Sequence, residues 1–254
     1  MKLNIKTIVL LLIAFLAGFF GFKYTFEFFK NKKGNGEQTE NNTVQLKPGF
    51  TSLFDGKTFQ GWHGYGIDSV PDSWKIIEGT MVFKPDFENR SGLNNLVTDG
   101  TYENFILSLD WKIEKEGNSG VFWAVQEVDS LAVPYLSGPE IQILDDENHP
   151  DRNDPFKRSG ALFGIVPVEK SFSKPLGEWN TMILKIDHTN NLGEVMLNGH
   201  LLHQFPVNGK AWENLVAQSK FKDWAAFGKS KNGKISLQDH GDKVWFRNIK
   251  IKRL

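Results

Sequence analysis

Phe105, Leu107, Leu109, Trp111 and Ile113 occupy every second position of a nine-residue run whose other positions include Ser108, Asp110 and Lys112. Successive side chains of an extended chain point to opposite sides, so a period of two puts all five apolar groups on one face, whereas a helix would scatter them around its axis. Runs with similar character recur at 74–77, 80–83, 121–125, 161–166, 179–187, 194–197, 235–238 and 244–251. Glu78-Gly79, Asn198-Gly199 and Asn232-Gly233 separate several of these runs, and such pairs tolerate the left-handed backbone that tight hairpins require. Many short strands joined by turns predict an all-β domain, an antiparallel sandwich or jelly roll, whose own helix is confined to about 212–218. A stretch of roughly 205 residues suits one domain of that kind. Six of the eight Trp (Trp62, Trp74, Trp111, Trp123, Trp179 and Trp245) fall in or beside the predicted strands, where aromatic side chains usually fill the core.

Residues 7–22 form an uncharged apolar run preceded by Lys2 and Lys6 and closed by Lys23, the layout of a secretory signal or a short membrane anchor. Tyr24, Phe26, Phe28 and Phe29 extend it towards the length of about 20 residues that a membrane span needs. Residues 1–30 are therefore expected to form an apolar helix that exports the chain to the periplasm or cell envelope, and to contact the membrane if left uncleaved. Residues 31–48, rich in Lys, Gly, Asn, Gln and Glu, read as a flexible linker, and 49–254 as the folded domain. The chain has no Cys, which excludes disulfides, a thiol nucleophile and thiolate metal sites. Six Lys and one Glu lie at or before Lys33, leaving 24 basic and 29 acidic residues beyond it. A mildly acidic domain without a basic patch is not built to bind nucleic acid.

The chemistry must come from oxygen and nitrogen groups. G-x-S-x-G, G-x-x-x-x-G-K-[ST], H-E-x-x-H and a strand-borne G-x-G-x-x-G are all missing. In Glu140-Ile141-Gln142-Ile143-Leu144-Asp145-Asp146 a carboxylate and an amide alternate with β-branched residues, so Glu140 and Gln142 share one strand face while Ile141 and Ile143 share the other. By pattern alone this is an ordinary polar sheet face; by chemistry it also suits a sugar site. Gln238-Asp239-His240-Gly241 follows another predicted strand and aligns Gln238 with His240 in the same way. Asn118-Ser119-Gly120 is a polar turn leading into a strand. Asp145, Asp146, Glu147, Asp151 and Asp154 crowd one loop without the spacing of a calcium-binding hand.

Taken in order, these pieces resemble the 3-keto-disaccharide hydrolase domain family. The series runs from Gly49-Phe50-Thr51-Ser52-Leu53-Phe54-Asp55-Gly56-Lys57 and Gly61-Trp62 through Trp74, Asn118-Ser119-Gly120, the run from Glu140 to Asp145, Ser159-Gly160-Ala161-Leu162, Glu178-Trp179-Asn180, Leu197-Asn198-Gly199 and Gln238-Asp239-His240-Gly241 to Phe246-Arg247-Asn248-Ile249. The resemblance implies a concanavalin-like jelly roll of an exported bacterial protein that acts on a carbohydrate. It implies hydrolysis of 3-keto-glycosides, in which a ketone at C3 acidifies the C2 proton and lets the glycosidic oxygen leave from C1. Glu140 and His240 are then the acid-base candidates, and Asn118, Gln142 and Gln238 the groups that hold hydroxyls or the enolate. Trp123 would offer a stacking face. Arg247 would either add positive charge or brace a carboxylate. A divalent cation polarising the ketone would draw on Glu140, Asp145 and His240. A glycan-binding module without catalysis, or an envelope scaffold, would use the same fold.

Overall fold

Residues 48–85 and 94–254 are described in this computed structural model, and the expected leader or anchor and most of the linker lie outside them. In chain order the strands are β1 (Thr51–Ser52), β2 (Trp62–Gly64), β3 (Trp74–Ile77), β4 (Thr80–Phe83), β5 (Leu96–Thr98), β6 (Phe105–Ile113), β7 (Asn118–Val125), β8 (Glu140–Leu144), β9 (Asn180–Asp187), β10 (Leu192–Leu197) and β11 (His200–Phe205). Helix α1 (Gly209–Ala217) follows, then β12 (Lys234–Leu237) and β13 (Val244–Arg253). The larger sheet has the order β11-β10-β9-β6-β13-β4-β3, with β1 sharing the edge of β13 beyond β4. The smaller sheet runs β2-β5-β12-β7-β8. All pairings are antiparallel, as a jelly-roll sandwich requires.

The period-two run at 105–113 is β6, near the centre of the larger sheet, and its five apolar residues are buried against the inner face of the smaller sheet. Val121, Ile141, Ile143 and Leu237 meet them from the other side. Each such side chain contributes about 1.5–3 kcal/mol by leaving water. A one-residue slip of β8 would expose Ile141 and Ile143 and drive Glu140 and Gln142 into the core, so this burial sets the register that orients the polar pair.

The Glu78-Gly79 and Asn198-Gly199 pairs form two-residue hairpins, β3 to β4 and β10 to β11, with positive φ at both turn residues. Asn232-Gly233 does not close a hairpin: Gly233 bridges to Tyr102 instead, at the entrance to β12. The segment 161–166 is also not a strand. Gly160 and Gly164 take left-handed φ values of 84° and 67°, which fold it into turns held by isolated bridges from Leu162 to Ile141 and Val166. The helix begins three residues earlier than expected. Its Trp212 indole donates to the Gly228 carbonyl at 2.8 Å, and Gly228 N donates to Ser137 O at 2.8 Å. These bonds return the loop after α1 across the smaller sheet. The outer face of β7 and β8, an ordinary exposed face by pattern alone, is consequently buried.

Candidate active site

A cavity of about 280 Å³ lies between that returning loop and the smaller sheet. Its floor follows from strand parity. In β7, Asn118, Gly120 and Phe122 face one way; their β8 partners Leu144, Gln142 and Glu140 face the same way, because residues directly opposite in an antiparallel pair share a face. Gln238 joins the floor because its N–H donates to Gly120 O at 2.9 Å, extending the β12 ladder by one residue, while Ser119 Oγ donates to Gln238 O at 2.9 Å. Asn118, Glu140, Gln142, Gln238 and His240 all line this one cavity, although about a hundred residues separate the two halves of the set.

Glu140 is 8% exposed, and its Oε1 has no hydrogen-bond partner in the protein. Burial pushes its carboxyl up from 4.5 to about 8, with the charge of Lys220 and the Gln238 amide pulling the other way. A carboxyl poised near neutrality can both take and return a proton. Gly120 makes room for it: a Cβ there would lie 2.1 Å from Glu140 Oε1 and 2.8 Å from its Cδ. Gln142 Nε2 donates to Asn118 Oδ1 at 3.1 Å, which leaves an amide donor on Asn118 and a carbonyl acceptor on Gln142 for a ligand. Such a pair matches neighbouring sugar hydroxyls. Gln238 Oε1 is likewise buried and unpartnered.

Between Gln238 and His240, Asp239 points the opposite way and is 1% exposed. Its carboxylate accepts from Asn94 N at 2.7 Å and Gly241 N at 2.9 Å, and its own N–H donates to Asn95 Oδ1 at 3.0 Å. This anchor, together with Gly241 at φ 99°, holds the two flanking side chains towards the cavity. Asp239→Ala leaves two buried donors without that acceptor and is expected to cost roughly 2–4 kcal/mol in denaturant unfolding. An unchanged midpoint would show that the anchor is dispensable. His240 sits at the rim, its side chain 53% exposed, with Nδ1 4.0 Å from Asp242 Oδ2. Asp242 also accepts from Asn118 N at 2.9 Å, tying the rim to β7.

The opposing wall is aromatic. Phe221 and Phe227 stack at 4.1 Å and 7°, Trp224 meets Phe221 edge-on at 5.0 Å, and Tyr135 approaches Trp224 at 5.9 Å. Phe163 completes the wall, with Lys220 Nζ 3.7 Å from its ring centre. None of these was a sequence candidate. The density of Phe221, Trp224 and Phe227 just after the helix expected near 212–218 is the one sequence signal that could have found them.

Three sequence candidates lie elsewhere. Trp123 has the parity of Val121 and faces the core, its ring 5.9 Å from Phe205, so the aromatic surface of the cavity comes from the loop residues instead. Arg247 belongs to β13 in the other sheet, where Nε stands 3.6 Å from Asp110 Oδ2 and the guanidinium lies 3.9 Å over Trp179; it braces the outer face. Asp145 directly follows β8 and faces a separate depression, and its carboxylate accepts from Glu116 N, Glu147 N and Asn148. Those bonds occupy the oxygens a cation would need. Among the described residues no three His, Asp or Glu groups converge as a metal site, so the set Glu140, Asp145 and His240 does not fit a divalent cation.

Residues 49–252 match the family described as 3-keto-alpha-glucoside-1,2-lyase-like domain. A relative from Bacteroides thetaiotaomicron, named 3-keto-disaccharide hydrolase, is 39% identical, the match covering 81% of this chain and 79% of the relative. A crystal structure from Parabacteroides distasonis, of a candidate glycosyl hydrolase, superposes with a TM-score of 0.74 at 32% identity, over 81% of this chain and 94% of that one. A second candidate glycosyl hydrolase from that organism gives 0.60 at 27% identity, over 81% and 99%.

Proposed function

The chain belongs to the 3-keto-alpha-glucoside-1,2-lyase-like domain family, and we propose that it is a glycoside-cleaving enzyme that hydrolyses 3-keto-glycosides by elimination followed by hydration. The observation that carries this reading is the buried Glu140 carboxyl, its Oε1 without a hydrogen-bond partner, on the floor of a cavity with side-chain amides beside it.

The ketone at C3 makes the C2 proton removable. Glu140 takes it, the C2–H electron pair moves into a C2–C3 double bond, and the former carbonyl electrons rest on the C3 oxygen as an enolate. The enolate then collapses: the C3 carbonyl re-forms, a C1–C2 double bond appears, and the C1–oxygen bond breaks with its electron pair leaving on the aglycone. His240, at the solvent-facing rim, protonates that oxygen. Water adds its hydroxyl to C1 of the enone while His240, neutral after its first step, takes the proton that water gives up, and Glu140 returns its proton to C2, so both groups are restored and the net change is hydrolysis without redox. Asn118, Gln142 and Gln238 hold the ring hydroxyls. Lyase and hydrolase outcomes differ only in whether the water step follows in the same site, which reconciles the description of the family with the name of the relative. This route uses a carboxyl and an imidazole, not the paired carboxylates of ordinary glycosidases.

The test is release of 3-keto-glucose from a 3-keto-disaccharide such as 3-keto-trehalose and from a simple 3-keto-glucoside. With Glu140 as the base, its ionised form is the active one, so kcat/KM rises with pH up to about 8. A rate that falls through that range would give Glu140 the acid role and His240 the C2 proton. No release from either substrate, at any pH between about 5 and 10, would end the catalytic reading. Export by the 1–30 segment belongs to the same proposal, and recovery of the protein in the cytoplasmic fraction would contradict it.

A further inference from the structure

Removing the C2 proton leaves a full negative charge on the C3 oxygen, and Asn118, Gln142 and Gln238 can offer it only neutral dipoles. We infer that Lys220 is a further catalytic residue, whose ammonium group receives the enolate charge at the C3 oxygen of the bound 3-keto sugar. This rests on the reaction proposed above.

Lys220 lines the same cavity as Glu140 and is the one Lys or Arg among its lining residues. It arrives from the returning loop after α1, on the side opposite the polar floor. Its Nζ lies 3.7 Å from the Phe163 ring centre and 5.1 Å from that of Phe221. Contacts of this kind, worth about 0.5–2 kcal/mol, hold a cation in place without neutralising it.

Among the described residues Lys220 forms no ion pair. The acidic groups on the adjoining loop, Asp151 and Asp154, are instead engaged by Lys157, whose Nζ lies 3.0 Å and 3.9 Å from them. Glu140 faces Lys220 from β8, and His240 stands at the rim. Partial burial destabilises the ammonium and lowers its pKa, while Glu140 favours the charged form. As Glu140 takes the C2 proton its own charge is neutralised and an equal charge appears on the C3 oxygen, so a cation held in this cavity loses the carboxylate as its counter-charge and gains the enolate. An interaction made chiefly in the transition state raises turnover rather than binding.

The step that depends on Lys220 can be isolated with the full-length protein and 3-keto-1,5-anhydroglucitol, which has the ring and ketone but no leaving group at C1. Exchange of its C2 proton with deuterated water reports enolisation alone. Lys220→Met keeps the stem over Phe163 and is expected to slow exchange about 100-fold or more, with half-saturation changed by less than about threefold. Lys220→Arg is expected to stay within about tenfold of the native rate, since it restores the charge. Loss of the cation also removes a charge that lowers the Glu140 pKa, so the pH midpoint of residual activity moves upward whichever proton Glu140 handles. If Lys220→Met does not fold, Lys220→Gln and the Arg variant carry the comparison. Native-rate exchange in the neutral variants, or a loss confined to half-saturation, overturns the role of Lys220 while leaving the reaction intact. A native protein that neither exchanges this proton nor cleaves a 3-keto-glycoside overturns the parent reading as well.

Discussion

Glu140→Gln is expected to lower kcat on a 3-keto-glycoside by about 100-fold or more while making the protein more stable above pH 8. The two effects have one cause. Glu140 Oε1 is buried without a partner, so the folded protein holds the proton up to about pH 8, whereas the unfolded chain gives it up near 4.5. Between those values the native state binds more protons than the unfolded state, and stability therefore falls as pH rises through the window. The full shift corresponds to something on the order of 5 kcal/mol. Gln has nearly the same shape, keeps its place beside Gln238, and carries no such penalty. Denaturant unfolding at about pH 6 and pH 9 separates the cases: about two pH units of the window fall in that interval, so the native protein loses roughly 3 kcal/mol more stability across it than the variant. Parallel pH dependences would mean that Glu140 ionises as freely in the fold as outside it, and the reason for choosing it as the base would be gone. Stability given up at a functional group is the usual cost of holding it away from its preferred solvation.

Gly120→Ala is the second large effect, and it reaches Glu140 without touching its chemistry. Gly120 does not have a left-handed φ, so Ala is allowed there by the backbone. What excludes it is the carboxylate: the new methyl would lie 2.1 Å from Oε1 and under 3 Å from Cδ and Cγ, far inside contact distance. The side chain must swing off the floor, or β7 and β8 must part where they are paired. An activity loss of about 100-fold is expected, with about 1–3 kcal/mol of destabilisation from overpacking. Because both changes act through one group, adding Gly120→Ala to Glu140→Gln should lower activity little further. Additive losses in this cycle would assign Gly120 a role separate from Glu140. A single variant with native kcat would show that the close approach is relieved by a harmless rotation.

Much of the site was legible from parity. Ile141 and Ile143 had to be buried, so Glu140 and Gln142 had to share the other face. The same rule, applied from Asn118, places Gly120 and Phe122 on the site face and turns Trp123 away; its assignment to a sugar followed the chemistry of indole rather than its position. Arg247 and Asp145 misled for a related reason. A charged side chain in a strand or at its end does not reveal whether a neighbouring group has already claimed it, as Asp110 claims Arg247 and the backbone of 116 and 147 claims Asp145. Lys220, Phe221 and Trp224 lie in a segment with no period, so no face could be assigned to them. The run at 161–166 looked like a strand because its apolar content suits one, but Gly160 and Gly164 bend it, and Phe163 consequently faces the cavity.

Residue order by itself determined the antiparallel sandwich, because a two-residue apolar period can be buried only by pairing strands and closing one face on another. It also determined which side chains of β8 and of the Gln238-Asp239-His240-Gly241 segment lie together within each segment. The tertiary structure decided that these two pairs meet, by inserting β7 between β12 and β8, and that Glu140 is desolvated, by folding the loop after α1 over it. Strand order and loop return depend on long-range packing of the two sheets, and local periodicity carries no record of which distant strand will be the neighbour.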